Sequence, residues 1–310
     1  MQQRNETRGA GFERSLMIDV SVLIVNYNTA ELVKKCVESV LAQQDVNFEI
    51  IVIDNDSRDH SVNVLQAFTP RIIFVPNQDN KGFGKANNQA FKLSQGRYIF
   101  MLNPDAVCLT DRDLYHAVKF MDEHAEYGLV GTRILNSHNH IEHTAYHHYP
   151  HQNQTSMDFS HLPGDLATVL GASMIARRDV FEKVHGFDED FFLYGEETDL
   201  CLRIRKAGYS IGYCETVSVQ HVGSASEKGN PREEVIYKKK AGKLLFYRKH
   251  YSGADVRKIV KRDLRQARLH LLRLSVIKML FGLNKKQENK YRHHIVARDL
   301  ARNYLSSIRN

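Results

Sequence analysis

Four apolar runs recur at short intervals in the first third of the chain, and each stops on a polar tip: DVSVLIVNYN (19–28), FEIIVIDNDS (48–57), RIIFVPN (71–77) and YIFMLNPDA (98–106). Between them lie stretches with helical spacing. TAELVKKCVESVLAQQ (29–44) sets Leu32, Val33, Cys36, Val40 and Leu41 on one stripe. DHSVNVLQAF reads as a short helix, and NKGFGKANNQAFKLSQG (80–96) as a glycine loop running into a helix. Strands apolar on both faces, joined through helices by short links, demand a parallel sheet covered on both sides. The expected class is α/β. In such a sheet the polar tips converge on one edge, where open α/β folds bind ligands.

The tips are Tyr27-Asn28, Asp54-Asn55-Asp56 and Asn103-Pro104-Asp105. Pro104 cannot donate to a ladder, so the fourth strand must stop there. On local chemistry alone Asn-Pro-Asp is a turn, and Asp54 and Asp56 are caps for a helix starting near 59. Taken together, carboxylates gathered on one edge need water, a partner or a cation. Mg²⁺ or Mn²⁺ is the matching partner, because a hard ion takes one or two carboxylates plus phosphate oxygens. No GxGxxG or GxxxxGK[ST] follows the first run, so neither a dinucleotide fold nor a P-loop is indicated.

Beyond a helix near 111–124 the pattern loosens. Residues 136–165 are polar and rich in histidine, and read as a long surface loop on the acceptor side. Within them HNHIEH also has spacings compatible with zinc. Order returns at ATVLGASMIARRDVFEKVHGFDEDF (167–191), followed by a helix over 197–207, a strand near 209–219 and the loop HVGSAS (221–226). Glu196, Glu197 and Asp199 open that helix. Acids there suit the helix dipole, and Asp199 is spaced to pair with Arg203. The preceding FFLY run, however, offers the apolar setting that tunes a carboxylate for proton abstraction.

The segments SVLIVNYN, IIVIDNDSRD, NKGFGKANNQA, FMLNPDA, LGASMIARRDVF, GFDEDFFLYGEETDLCLRIRKAGY and HVGSAS resemble, in order, those of family 2 glycosyltransferases with the GT-A fold, closest to the bacterial rhamnosyltransferase-like branch. Each is weak alone; seven in order over residues 19–226 are specific. The resemblance implies a mostly parallel GT-A sheet flanked by helices and an inverting, metal-dependent sugar transfer. It implies that Tyr27, Asn28, Asp54 and Asp56 lie at the nucleotide. Gly82, Phe83, Gly84, Asn87 and Asn103 would shape the donor pocket, with Gly171 and Ala172 beside the acceptor. Asp105 and His221 would hold Mg²⁺ or Mn²⁺, Asn103 standing where the family has the first acid of its Asp-x-Asp motif. Glu197 matches the usual base, with Glu196 next to it and Asp199 in the same cluster. The implied donor is a nucleoside diphosphate sugar, dTDP-L-rhamnose ahead of UDP-hexose, and the implied acceptor is a hydroxyl of a cell-surface polysaccharide or lipid-linked glycan.

Charge separates the rest of the chain from this region. Residues 231–310 hold 22 Lys+Arg against 6 Asp+Glu, whereas the whole chain carries a formal net charge of only +7. The expected division is a lead-in over 1–17 without fixed structure, a transferase domain over 18–230, and a basic helical extension over 231–310. In the extension Val256, Ile259, Val260, Leu264, Ala267, Leu271 and Leu274 share a stripe surrounded by Arg and Lys. That stripe fits packing on protein or lying on an anionic membrane, and no nucleic-acid motif accompanies it. Four cysteines without CxxC spacing read as reduced thiols, and no signal-type or spanning apolar run is present. The expected place is the cytoplasm, including the inner face of its membrane. Two competing readings remain. A nucleotidyltransferase would want a basic Gly-rich loop after the first strand, which NYNTAEL is not. A catalytically inactive transferase acting as a membrane-binding module would keep the basic helices while losing the site acids.

Overall fold

The computed structural model describes residues 17–223, 225–227 and 229–308. Nearly all of the expected lead-in, and Ser224 of the HVGSAS loop, lie outside the described residues. The chain divides into two compact units, and the division is discontinuous. The first comprises Met1–His147, Leu162–Phe192 and Glu197–Ser226; the second comprises His148–His161, Leu193–Glu196 and Glu227–Asn310.

The first unit is built on one sheet. Its strands are β1 (Val20–Asn26), β2 (Phe48–Asp54), β3 (Ile73–Pro76), β4 (Tyr98–Leu102), β5 (Ala106–Cys108), β6 (Tyr127–Leu135), β9 (Ser173–Arg177) and β10 (Ser210–His221), and a two-stranded pair adds β7 (Ala145–Tyr146) and β8 (Thr168–Val169). The sheet order is β3-β2-β1-β4-β9-β6-β10-β5. β1 runs parallel to both β2 and β4, with Asn26 opposite Asp54 and Leu23 opposite Met101. Alternation along these strands separates two cores. Val22, Ile24, Val52 and Phe100 face α1 (Ala30–Leu41) and α4 (Asp113–Glu123), with Val33, Val37, Leu114 and Met121 in the same buried cluster. Leu23, Ile51, Ile53 and Met101 lie in the opposite cluster with Ala86 and Ala90 of α3 (Phe83–Leu93) and Leu200 and Ile204 of α6 (Glu196–Lys206). Two short helices, α2 (Ser61–Gln66) and α5 (Arg178–Lys183), complete the unit.

The sheet is mixed in one region that the apolar runs do not reveal. β9 lies between β4 and β6, antiparallel to both, and β5 is antiparallel to the end of β10. The cysteines at 36, 108, 201 and 214 are all free thiols.

The second unit consists of α7 (Arg232–His250), α8 (Gly253–Phe281), α9 (Lys285–Ser307) and two segments from earlier in the chain. These units divide the chain elsewhere than the single cut expected at 230, and residues 148–161, within the surface loop expected over 136–165, belong to the second unit. Tyr149 and Phe159 are buried, their rings 5.0 Å apart, and Tyr149 stacks on Phe246 of α7 at 5.9 Å. Asp255, in the first turn of α8, accepts from the Ser156 backbone N–H at 2.8 Å and from the hydroxyls of Thr155 and Ser156. Residues 148–161 are held by aromatic burial and by this carboxylate. Residues 193–196 meet α7 at Gly242, where the Tyr194 carbonyl oxygen leaves no room for a Cβ. Within this unit α8 packs against α7 and α9. The expected stripe is the buried one, with Val256, Ile259, Val260, Ala267, Leu271 and Leu274 all nearly inaccessible and Leu264 half-buried.

Candidate active site

Parallel register brings the three polar tips to one edge of the first unit, as the apolar runs imply. At the β1/β2 end, Asn26 donates its Nδ2 to Asp54 Oδ2 at 2.7 Å, and Asp54 Oδ1 accepts from the Ser57 N–H at 2.9 Å. Asp54 is fully buried and occupied by the chain's own donors. It shapes the turn that carries Asn55 and Asp56, Asp56 being left-handed at φ 68°. Asp56 itself is partly exposed and paired with Arg58 at 2.8 Å. The capping role that local chemistry gives Asp54 and Asp56 belongs instead to Asp59, whose carboxylate accepts from the N–H groups of Ser61 and Ala30 at 3.0 Å each. Tyr27 and Asn28 follow β1, and Asn28, at φ 54°, accepts from the Arg58 N–H through its side chain.

Gly82 begins α3 at φ 82°, and a Cβ there would lie 2.5 Å from the Phe192 carbonyl. That left-handed position and close approach leave room only for glycine. The approach is used, because Phe83 N–H donates to the same carbonyl at 2.9 Å. Gly84 sits against Phe187, and the buried Asn87 donates to Phe83 O at 3.0 Å. Sequence reasoning misses Asn55 and Asn88, yet both brace this loop. Asn55 Nδ2 donates to Asn80 Oδ1 and Gly82 O, while Asn88 exchanges two hydrogen bonds with the Phe187 backbone. The sequence signals for them are that Asn55 stands in the second polar tip and Asn88 follows GFG.

The β4 tip carries Asp105, one of the residues expected to hold a metal. Asn103-Pro104-Asp105-Ala106 is a turn closed by the Ala106 N–H on Asn103 O at 3.0 Å, as its local chemistry dictates. The strand beyond the turn gives it a further use. β5 pairs antiparallel with β10, placing Ala106 opposite His221. His221 Nε2 thereby comes 3.2 Å from Asp105 Oδ1 and 3.5 Å from Asn103 Nδ2, with both members of the pair nearly buried. Burial pushes the Asp105 carboxyl up, but the His221 hydrogen bond and charge and the Ala225 N–H outweigh it and hold it below the ordinary carboxylate range. Among the described residues no third His, Cys, Asp or Glu joins this pair, and the 138–143 histidines form no metal-holding cluster either. One carboxylate and one imidazole, facing each other beside an open strand edge, suit a divalent ion whose other ligands come from a diphosphate.

The same edge continues to Gly171 and Ala172, the residues expected beside the acceptor. β9 pairs with β4, and Asn103 N–H donates to Ala172 O at 2.9 Å. Gly171 lies against Glu197, and a Cβ there would be 3.3 Å from the Glu197 Cβ. Asp105, Asn103, Ala172, Gly171 and Glu197 thus form one chain of neighbours within the first unit. Glu196 is buried and groups with the second unit, while Glu197 is partly exposed. Asp199 is buried and accepts from Arg203 Nε at 2.7 Å, the i,i+4 pair that the helix spacing foresees.

This sheet, with the C-terminal helices, is the GT-A glycosyltransferase fold. The mannosyltransferase PcManGT from Pyrobaculum calidifontis, solved with GDP-Man and Mn²⁺, superposes with a TM-score of 0.56 at 14% identity, over 92% of this chain and 86% of that one. The family model described as "Glycosyl transferase family 2" matches residues 21–185, and the chain belongs to that family. A second model, "N-terminal domain of galactosyltransferase", matches residues 151–224. Among curated relatives, the O-antigen biosynthesis protein RfbC of Myxococcus xanthus is 26% identical over 70% of this chain, a match spanning only 18% of RfbC. The low-salt glycan biosynthesis hexosyltransferase Agl10 of Haloferax volcanii is 25% identical over 67% of this chain and 69% of its own length.

Proposed function

We propose that this family 2 glycosyltransferase moves a sugar, with inversion, from a nucleoside diphosphate sugar to a glycan or lipid-linked glycan hydroxyl. The observation that carries this reading is the continuous edge from the Asp105–His221 pair through Asn103 and Ala172 to Gly171 and Glu197. Relatives in O-antigen and low-salt glycan biosynthesis support a polysaccharide or glycan acceptor. The motif resemblance puts dTDP-L-rhamnose first among donors and UDP-hexose second, and a hexosyltransferase among the relatives is in keeping with transfer of a hexose.

The roles are those the motif resemblance implies, and the positions of the residues are in keeping with them. Glu197 takes the proton from the acceptor hydroxyl, its backbone anchored at the start of α6 and its stem resting on Gly171. Glu196 and Asp199 support it: Asp199, ion-paired with Arg203, stiffens the first turns of the helix. Tyr27, Asn28 and Asp56 border the base and ribose. Asp54 acts through the turn it holds, with both carboxylate oxygens engaged. Gly82, Phe83, Gly84 and Asn87 form the rim over the donor. Asp105 and His221 would hold Mg²⁺ or Mn²⁺, whose charge would neutralise the departing diphosphate.

The test is nucleoside diphosphate release from a donor panel, with and without each metal, in the presence of a short lipid-linked acceptor. Wild type is compared with Asp105→Ala and Glu197→Gln, and donor binding is measured by calorimetry. Metal-dependent release from one donor, lost in both variants, is the expected result. Failure of every nucleotide sugar to bind wild type would overturn the reading. So would full activity in Glu197→Gln.

A further inference from the structure

The second unit carries an exposed surface that holds none of the candidate site residues. The stripe buried on α8 has a counterpart on its exposed side. Leu269, Leu272, Val276, Met279 and Leu280 recur at helical spacing, and Phe281 ends the helix. All six are exposed, Met279 by 78% and Phe281 by 85%. Isolated apolar residues on a surface need no explanation, but a contiguous stripe ending at a hairpin tip does. The charges around it are mostly positive, Glu288 in the first turn of α9 being an exception. The same face of α8 carries Lys258, Lys261, Arg262 and Arg265 before the apolar stretch, and Lys278, Lys285 and Lys286 surround the tip.

Between α7, α8 and α9 opens a cleft of about 710 Å³, lined from α8 by His270, Arg273, Leu274 and Ile277. Arg232, Arg273, Lys286 and Lys290 line it together with His293 and His294, and none of the described residues that line it is acidic. His294 stacks on His270 at 4.5 Å. Burial, with the neighbouring histidines and lysines, pushes His294 down to about 4, so it adds no charge to the cleft at neutral pH.

We propose that this face of α8 and α9 docks on an anionic phospholipid bilayer, the apolar stripe and tip entering the headgroup boundary and the basic cleft taking a lipid phosphate. Charge complementarity selects this occupant. A second copy of the chain would bring the same cations against themselves, whereas an anionic leaflet satisfies them. Long Lys and Arg stems can lie along the boundary with their ends in the phosphate layer. Among the described residues no helix is long and apolar enough to cross a membrane, and the proposed contact lies in the membrane plane. The inference does not depend on the proposed reaction.

Flotation of the full chain with vesicles tests it. One set is phosphatidylcholine alone, and the other has one-third phosphatidylglycerol. Binding is expected to the anionic set, weakened by salt, and lowered about tenfold or more by Leu272→Glu/Phe281→Glu and by Arg273→Glu/Lys286→Glu. Circular dichroism of both variants should match wild type, since every substituted side chain is exposed. Equal binding to both vesicle sets would overturn the proposal. Absence of flotation, with a dimer in sedimentation that Leu272→Glu/Phe281→Glu dissolves, would assign the face to self-association instead. Saturation of the cleft by inorganic phosphate without any vesicle binding would overturn it in favour of a soluble phosphate ligand.

Discussion

Asp54 and Asp105 are both buried aspartates at the ends of parallel strands that flank β1, yet their partners differ in kind. Asp54 is held by an amide side chain and a backbone N–H, neither of which a ligand displaces. Asp54→Ala takes the acceptor from the Ser57 N–H and leaves the Asn26 amide with only its bond to Ser57 Oγ, and a loss of about 1–3 kcal/mol is expected, read as a lower Tm with or without substrate. Asp105 is held chiefly by an imidazole, itself a metal ligand by chemistry. Asp105→Ala should lower Tm by less than Asp54→Ala does and lose the effect of added Mn²⁺ on donor binding. Glu197 is separable from both. Glu197→Gln preserves shape and removes basicity, so kcat should fall by about 10²–10⁴ while the donor Kd stays put. A matching loss in donor affinity would instead make Glu197 a binding residue.

Among the elements, α8 begins with two nested devices. Ser252 caps the helix by accepting from the Asp255 N–H at 3.1 Å, and Asp255 in turn binds residues 155–156. Hydrogen bonds from the Ser156 backbone and hydroxyl, then from Ser252 and Thr155, hold the Asp255 carboxyl well below its ordinary value. A depressed folded-state value contributes stability above the unfolded value of about 3.9, and that contribution is lost as pH falls through the lower one. Asp255→Asn should therefore lower Tm at neutral pH and flatten its acid decline, measured by thermal melts from neutral pH down to strong acid. This coupling is not legible in the sequence, because its halves lie 99 residues apart and 148–161 look polar. The β4 tip is legible, since proline dictates a stop whatever the tertiary context. β5 and β9 are hidden for another reason. Strand direction is decided by the connections, and apolar runs such as SMIA read alike in either direction.

For the whole molecule, the important fact is that neither unit is a continuous stretch of chain. The backbone leaves the first unit at His148, returns at Leu162, leaves again at Leu193 and returns at Glu197. Composition places the border at 230 because charge changes there, but burial tracks Tyr149, Phe159 and Gly242 instead. A chain truncated after residue 230 should bind a hydrophobic dye, melt at lower temperature and lose transfer activity, although it keeps every candidate site residue. Wild-type activity in that fragment would show that 148–161 and 193–196 need no helical partner. The discontinuity also sets a timetable. At about 5–20 residues per second, roughly five to twenty seconds separate the synthesis of Tyr149 from that of Asp255. Throughout that interval two segments of a nascent chain hold apolar side chains for which no partner has yet been made, and Tyr149 and Phe159 are where a ribosome-associated chaperone would find its grip.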